Sequence, residues 1–283
     1  MKKIIVFLLL MLATTTIFAE NQQDTLVLQK KIDLQNEIVL SDIDSYGRIY
    51  ICDKKGSIKR LDSLGDVELI FSPSSTIVPT DFSAQNPNQI FVFYQELQEW
   101  VVLNRFLTEI ERYQISEKIE ANQYGEIGFV RLLVPSANNT LWFFDESDFS
   151  LKNYDVLNKQ VLSQTPLDLL LKNEEYPISY LQFYQGQVFL GVQGQGILIF
   201  DTFGNYKTTL KYPDWKGISF EKEFIFILKN DTIIKRSLYK QSEENIFFLD
   251  TTEKNRGKIN YFFRYGVKAF CITETEIYIY TTK

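Results

Sequence analysis

The chain has 283 residues, of which 45% are hydrophobic and 15% aromatic, and it contains no histidine. The missing histidine excludes Ser-His-Asp and Cys-His nucleophile systems and every metal site that depends on histidine ligands. The 30 basic and 36 acidic residues give a net charge of −6, which argues against a nucleic acid as the partner.

The N-terminal segment is typical of a secretory signal peptide. Residues 1–19, MKKIIVFLLLMLATTTIFA, place two lysines before an apolar run and end in the small residue Ala19. An uncleaved membrane anchor is the alternative, but three threonines interrupt the apolar run, and an anchor needs about 20 apolar residues. We therefore predict cleavage after Ala19, a single domain over 20–283 with no membrane span, and a location in the periplasm, at the outer membrane or outside the cell.

The first part of the mature chain reads as four short strands separated by turns. The strands are predicted over Ser41 to Asp44, Arg48 to Cys52, Ser57 to Leu61 and Asp66 to Phe71. Each run has the usual strand length, and two of the turns contain a glycine. This unit predicts one four-stranded antiparallel blade of a β-propeller.

The same unit recurs along the rest of the chain. The second strands of the successive units begin at Ile49, Ile90, Leu141, Val188, Phe224 and Ala269. Their spacing averages about 44 residues, within the range of a four-stranded propeller blade. The last unit stops after its third strand, so we expect Thr25 to Leu34 to supply the missing strand and close the ring. The predicted fold is an all-β, six-bladed propeller.

Four of the third strands end in a residue suited to a turn. These residues are Asp62, Asn104, Asp155 and Asp201. Their side chains can accept hydrogen bonds from nearby backbone amides, so we interpret them as structural rather than catalytic. The longer connectors over 117–128, 166–177 and 251–258 are either passive linkers or binding loops, and one or two helical turns are expected within 166–177.

The cysteines and the aromatic residues are interpreted mainly as packing residues. Cys52 and Cys271 lie in apolar strands of the first and last blades, where a buried thiol is expected, although ring closure leaves a disulfide open. Tyr94, Trp100 and Phe106 are expected to fill the core, with a surface contact site as the alternative.

The repeats resemble those of the six-bladed propellers of the NHL and TolB-like superfamily. The resemblance is carried by D-x-x-G-R-I-Y-I-x-D over Asp44 to Asp53, by I-x-x-L-D-x-x-G over Ile58 to Gly65, and by weaker copies over Gly186 to Leu190 and Ile197 to Gly204. Blades two, five and six lack the Asp-x-x-Gly lead. The resemblance implies the propeller fold, and because no motif of the related lactonases and lyases is matched, no catalytic residue is carried over.

Candidate binding residues are the polar side chains at or before the innermost strands, which line the channel of a propeller. They are Asp42, Asp81, Arg131, Gln182, Ser219 and Asn260. A water-filled channel with no ligand is the alternative. Asp42 and Asp81 with Glu126 offer the oxygen ligands that Ca²⁺ takes, but no contiguous D-x-D-x-D loop accompanies them, so neither a metal nor a cofactor is expected.

Taken together, the sequence predicts a non-catalytic, exported interaction module with protein partners in the cell envelope. The analogy in role is the propeller subunit of the outer-membrane barrel-assembly machine, and it operates at the level of the fold alone. The alternatives are an enzyme of lactonase, lyase or glycosidase type that uses carboxylates, and a propeller that binds a small ligand or glycan. The oligomeric state cannot be read from the residues.

Overall fold

The fold was analysed in a computed structural model, which describes residues 26–73, 77–115, 126–137, 139–171, 177–230, 232–240, 244–248 and 257–282. The predicted signal peptide over 1–19 lies outside the described residues. Most of the connectors over 117–128 and 251–258, and residues 172–176 of the connector over 166–177, lie outside them as well.

The described residues form 24 strands. In chain order these are β1 Leu26–Asp33, β2 Ile38–Ile43, β3 Ile49–Asp53, β4 Ile58–Leu61, β5 Val67–Phe71, β6 Asp81–Ser83, β7 Gln89–Tyr94, β8 Glu99–Asn104, β9 Glu109–Gln114, β10 Val130–Pro135, β11 Thr140–Asp145, β12 Ser150–Asp155, β13 Gln160–Pro166, β14 Ile178–Tyr184, β15 Gln187–Val192, β16 Gly196–Phe200, β17 Tyr206–Leu210, β18 Gly217–Glu221, β19 Phe224–Lys229, β20 Thr232–Ser237, β21 Glu244–Phe248, β22 Tyr261–Tyr265, β23 Lys268–Ile272 and β24 Glu276–Thr282. One 3₁₀ turn, Gln95–Leu97, joins β7 to β8. Leu167 to Leu171 form a single helical turn, in which the Leu171 amide donates to the Leu167 carbonyl at 2.8 Å.

The strands are arranged as six four-stranded antiparallel sheets, which confirms the predicted six-bladed propeller. Blades one to five contain β2–β5, β6–β9, β10–β13, β14–β17 and β18–β21, and the sixth contains β22–β24 together with β1. The first strands of neighbouring blades contact one another around the ring, so β2, β6, β10, β14, β18 and β22 surround a central channel. The predicted strand bounds of the first blade differ by up to three residues, since β2 begins at Ile38.

The N-terminal strand β1 lies at the outer edge of the sixth blade. It pairs antiparallel with β24 from Leu26 opposite Thr282 to Asp33 opposite Glu276, with a bulge between Leu28 and Lys30. The backbone groups of β24 are therefore hydrogen-bonded on both sides.

The core lies between the blades rather than in one central cluster. The middle strands are buried on both faces, as in β3, β11, β15 and β16, because each sheet packs against a neighbour on either side. One cluster joins Ile49 and Ile51 of blade one to Phe270 and Ile279 of blade six, which packs the first and last blades together.

The two cysteines are not bonded to each other. Cys52 packs in the cluster between blades one and two, whereas Cys271 packs in the cluster between blades five and six. Burial raises the pKa of the Cys52 thiol to about 12, so this thiol is protonated and unreactive at neutral pH.

The residues that end the third strands stabilise turns, as the sequence predicted. The Oδ1 atom of Asp62 accepts hydrogen bonds from the amides of Leu64 and Asp66 at 2.8 and 2.9 Å. Asn104, Asp155 and Asp201 make equivalent pairs of bonds two and three or four residues on. The amide of Asp66 in particular holds the pKa of Asp62 below its usual value.

Blade three contains a buried ion network that the sequence analysis did not identify. Lys152 is 0% exposed, and its Nζ atom lies 2.7 Å from Asp145 Oδ2 and 2.6 Å from Asp148 Oδ2. The Glu126 carbonyl accepts a third bond from the same ammonium at 2.8 Å. A buried charge with this number of partners ties the turn between β11 and β12 to the loop before β10.

Candidate functional site

The central channel contains two cavities that meet midway along the innermost strands. The cavity at the start of these strands, the strand-start cavity, has a volume of about 540 Å³. The cavity at their other end, the strand-end cavity, has a volume of about 430 Å³. Both volumes are in the range of sites for small ligands or single side chains. Both cavities are lined by Asp42, Tyr180, Gln182, Ile218 and Phe263.

Five of the six candidate residues line this channel. Asp42 and Gln182 line both cavities, Asp81 and Asn260 line the strand-start cavity, and Ser219 lines the strand-end cavity. Four of them lie in innermost strands and Asn260 lies directly before β22, so the ring brings together residues of five blades that are far apart in sequence.

Arg131 is not brought to the channel lining with the other five. Arg131 lies at a bulge between Val130 and Leu132 near the start of β10, whereas Asp42 and Gln182 lie four residues after the first paired residue of β2 and β14. The guanidinium lies 2.6 Å from Glu146 Oε1 and is partly exposed. The structure therefore places Arg131 in a surface ion pair.

Asp42 is held in position by backbone amides on both of its carboxyl oxygens. Oδ1 accepts from the Ile43 amide at 2.8 Å, and Oδ2 accepts from the Ala84 amide of the next blade at 2.7 Å. Although the side chain is partly exposed to the channel, protein surrounds it. This burial raises the pKa of Asp42 to about 7, with a smaller contribution from the charge of Asp44 and against the two amide bonds.

Asp81 is the second carboxyl on the channel wall, and it has fewer hydrogen-bond partners. Its Oδ1 atom accepts from the Phe82 amide at 2.8 Å. Burial, followed by the charge of Asp42, raises the pKa of Asp81 to about 7. Within the described ranges, no lysine or arginine forms a salt bridge with Asp42 or Asp81. The two carboxyls therefore form an acidic pair without a counter-ion from the described part of the chain.

Ser219 contributes a hydroxyl group that has no hydrogen-bond partner among the described residues. The side chain is 5% exposed, and its Oγ atom makes no hydrogen bond with the described part of the chain. Gln182 makes only a long bond, 3.4 Å, from Nε2 to the Phe183 carbonyl. The lining thus keeps unused hydrogen-bonding capacity.

Aromatic rings form much of the remaining wall, and the sequence analysis did not select them. Tyr180 lines both cavities, and its hydroxyl donates to the Ile218 carbonyl at 3.4 Å. Tyr261 lines the strand-start cavity and donates to the Val39 carbonyl at 2.7 Å. Burial, and then the charges of Asp42 and Asp81, raise the pKa of Tyr180 well above its usual value. Tyr180 lies two residues before Gln182, and this period-two spacing places both on one face of β14.

The other expected clusters fall elsewhere. Tyr94 and Trp100 are buried in two different core clusters, whereas Phe106 is 58% exposed, so the three do not form one surface patch. Glu126 does not line either cavity, and no group of three or more metal-ligating side chains was found among the described residues. Among the same residues, no helix has the length and apolar character needed to cross a bilayer.

Comparison with known proteins identifies the fold alone. No family model matches the chain, and no curated protein matches it. A streptogramin B lyase structure is similar with a TM-score of 0.63 at 12% identity, over 94% of this chain and 100% of that one. The Swd1 propeller domain of Myceliophteria thermophila is similar with a TM-score of 0.62 at 9% identity, over 91% and 100%.

A third similar structure is virginiamycin B lyase from Staphylococcus aureus with quinupristin, described as a catalytically inactive histidine-to-alanine variant. Its TM-score is 0.56 at 11% identity, over 86% of this chain and 80% of that one. These neighbours include lyases and a β-propeller domain with no activity in its description, so the likeness shows the six-bladed β-propeller fold and leaves the role of the protein open between enzyme and binding module.

Proposed function

We propose that the protein is an exported, non-catalytic propeller that captures a partner of the cell envelope at its central channel. The observation that carries the proposal is the acidic pair, Asp42 and Asp81, on the channel wall without a counter-ion from the described chain. Partly buried carboxyls destabilise a fold, so their presence is explained best if something binds them. Export rests on residues 1–19, and the superfamily resemblance rests on the repeat motifs.

The absence of histidine from the whole sequence supports a non-catalytic role. The lyase that resembles this chain in fold is described as inactive when one histidine is replaced by alanine. This chain has no residue of that type to supply the same chemistry. A channel that binds without reacting needs only the polar and aromatic wall that is present.

The test is a pulldown from native membranes with the tagged mature protein. The proposal expects a partner recovered in stoichiometric amount, and it expects the yield to fall for the Asp42→Asn, Asp81→Asn double variant. A yield that is equal for both proteins, at equal folded fraction, would contradict the channel as the capture site.

A carboxylate-dependent enzyme is the second candidate, and one observation favours it. Both acidic side chains have a pKa raised to about 7, which suits a general acid or base at neutral pH. A panel of lactone, glycoside and lyase substrates tests this candidate. Turnover that is abolished by Asp42→Asn or Asp81→Asn would establish the enzyme in place of the binding module.

A further inference from the structure

The acidic pair has hydrogen-bonding capacity that the protein does not use. A carboxylate can accept about four hydrogen bonds. Among the described residues, Asp42 accepts two bonds, both from backbone amides, and Asp81 accepts one. Both residues line the strand-start cavity, where a bound group can reach the remaining acceptor positions.

The charges around the strand-start cavity favour a positively charged ligand in its interior. Lys216 and Lys258 also line this cavity, but both are exposed and neither forms an ion pair with the acidic pair. On the other side, Arg264 lies at the strand-end cavity, 3.8 Å from Glu221. Basic side chains thus lie toward the two mouths, and the carboxylates lie between them.

The remaining wall suits an organic cation better than a metal ion. A calcium ion takes six to eight oxygen ligands, whereas two carboxyls are available here. The rings of Tyr180, Tyr261 and Phe263 line the same cavity, and aromatic faces attract ammonium and guanidinium groups. Beyond Asp42, Ser219 lines the adjoining strand-end cavity, and its buried Oγ atom has no hydrogen-bond partner among the described residues.

We propose that the channel binds an organic cation, an ammonium or guanidinium group, at the carboxylates of Asp42 and Asp81 and against the ring of Tyr180. This inference rests on the proposed capture function and identifies the chemistry of the captured group. The cation can be a basic side chain of a protein partner or a free amine, since both carry the same charged group.

Isothermal titration calorimetry at pH 8 tests the inference with four probes. These are a blocked Gly-Lys-Gly tripeptide, the same tripeptide with neutral norleucine in place of lysine, butylamine and calcium chloride. We expect the lysine peptide or butylamine to bind at least tenfold more tightly than the norleucine peptide. The cationic probe that binds more tightly indicates whether the bound cation is a side chain of a protein or a free amine.

The test variant is the double variant Asp42→Asn, Asp81→Asn, which keeps the shape of the channel wall. The control variant is Asp62→Asn, which alters a carboxyl outside the channel. The first should weaken the cationic probe at least tenfold, and the second should leave it unchanged. Equal binding of the norleucine peptide, an unchanged double variant, or binding of calcium chloride alone would overturn the inference. If partner capture depends on the acidic pair but neither cationic probe binds, the inference of a cationic ligand is refuted and the proposed capture function stands. If partner capture is the same with and without the acidic pair, the proposed function itself is refuted.

Discussion

Replacement of Asp81 by asparagine should stabilise the protein at alkaline pH. The folded-state pKa of Asp81 is raised from 3.8 to about 7, mainly by burial and then by Asp42. The folded state therefore keeps this proton over a range in which the unfolded chain has lost it. The stability that this proton contributes is present below about pH 4 and is lost as the pH rises through about 7.

The expected gain in the free energy of unfolding follows from the size of the pKa shift of Asp81. About three pKa units correspond to roughly 4 kcal/mol at about 1.4 kcal/mol per unit, which is an upper bound. Because the carboxyl is partly exposed to channel water, screening reduces the value to about 2 kcal/mol. For a domain of this size, that gain corresponds to an increase in Tm of about 4–8 °C. Asparagine keeps an oxygen that can accept the hydrogen bond from the Phe82 amide, so this bond is retained.

Thermal melting of wild type and Asp81→Asn between pH 4 and pH 8, followed by circular dichroism, measures the effect. The difference in Tm should be close to zero at pH 4 and should reach its full value at pH 8. The matched control is Asp62→Asn. The pKa of Asp62 is lowered, chiefly by the Asp66 amide, so the contribution of its charge is present above pH 4 and lost in acid, which gives the opposite sign. An Asp81→Asn variant with the same Tm difference at both pH values would refute the reasoning.

Three further predictions concern the stability and the cysteines of the propeller. Lys152→Met should lower the free energy of unfolding in urea by about 3–5 kcal/mol, because it leaves the buried Asp145 carboxylate without its cation. Deletion of Leu26–Asp33 should unpair β24, expose its apolar side chains and cause aggregation or a much lower Tm. Alkylation of the unfolded, unreduced protein should modify both Cys52 and Cys271, as counted by intact mass.

These predictions have controls and contradicting results of their own. Lys55→Met, at an exposed position, should leave the unfolding free energy nearly unchanged, and an equally small effect of Lys152→Met would show that the ion network contributes little. An unchanged Tm after the deletion would remove β1 from the structural ring. A mass that shows no modified thiol would establish a disulfide.

The number and order of the blades could be predicted from the sequence because two local signals coincide. The apolar strands recur at blade spacing, and the side chains of Asp62, Asn104, Asp155 and Asp201 fix a turn at the same point of four blades. Strand bounds were less accurate, since the start of β2 at Ile38 depends on packing against blade six rather than on local pattern.

The site could be predicted only in part, because the exact start of each innermost strand, and so the register position of each candidate, is not encoded in the local pattern. Asp42, Asp81, Gln182, Ser219 and Asn260 reach the channel lining from innermost strands or their approaches. Asp42 and Gln182 lie four residues after the first paired residue of β2 and β14, whereas Arg131 lies one residue after that of β10 and pairs with Glu146.

The buried position of Lys152 shows the same limit in the core. This residue lies in a polar run that resembles an exposed strand. Its burial follows from its ion pairs with Asp145 in the preceding strand, seven residues earlier, and with Asp148 in the turn, four residues earlier. Only the folded blade shows that the charge of Lys152 is balanced by these two carboxylates.

The most direct test of the account compares partner capture by three proteins at equal folded fraction. Wild type, the Asp42→Asn, Asp81→Asn double variant and Arg131→Ala are used as bait with native membranes, and the recovered partner is quantified. We expect the double variant to lose at least nine-tenths of the partner, and Arg131→Ala, which is altered outside the channel lining, to retain it. Full recovery with the double variant would contradict the claim that the channel carboxylates capture the partner.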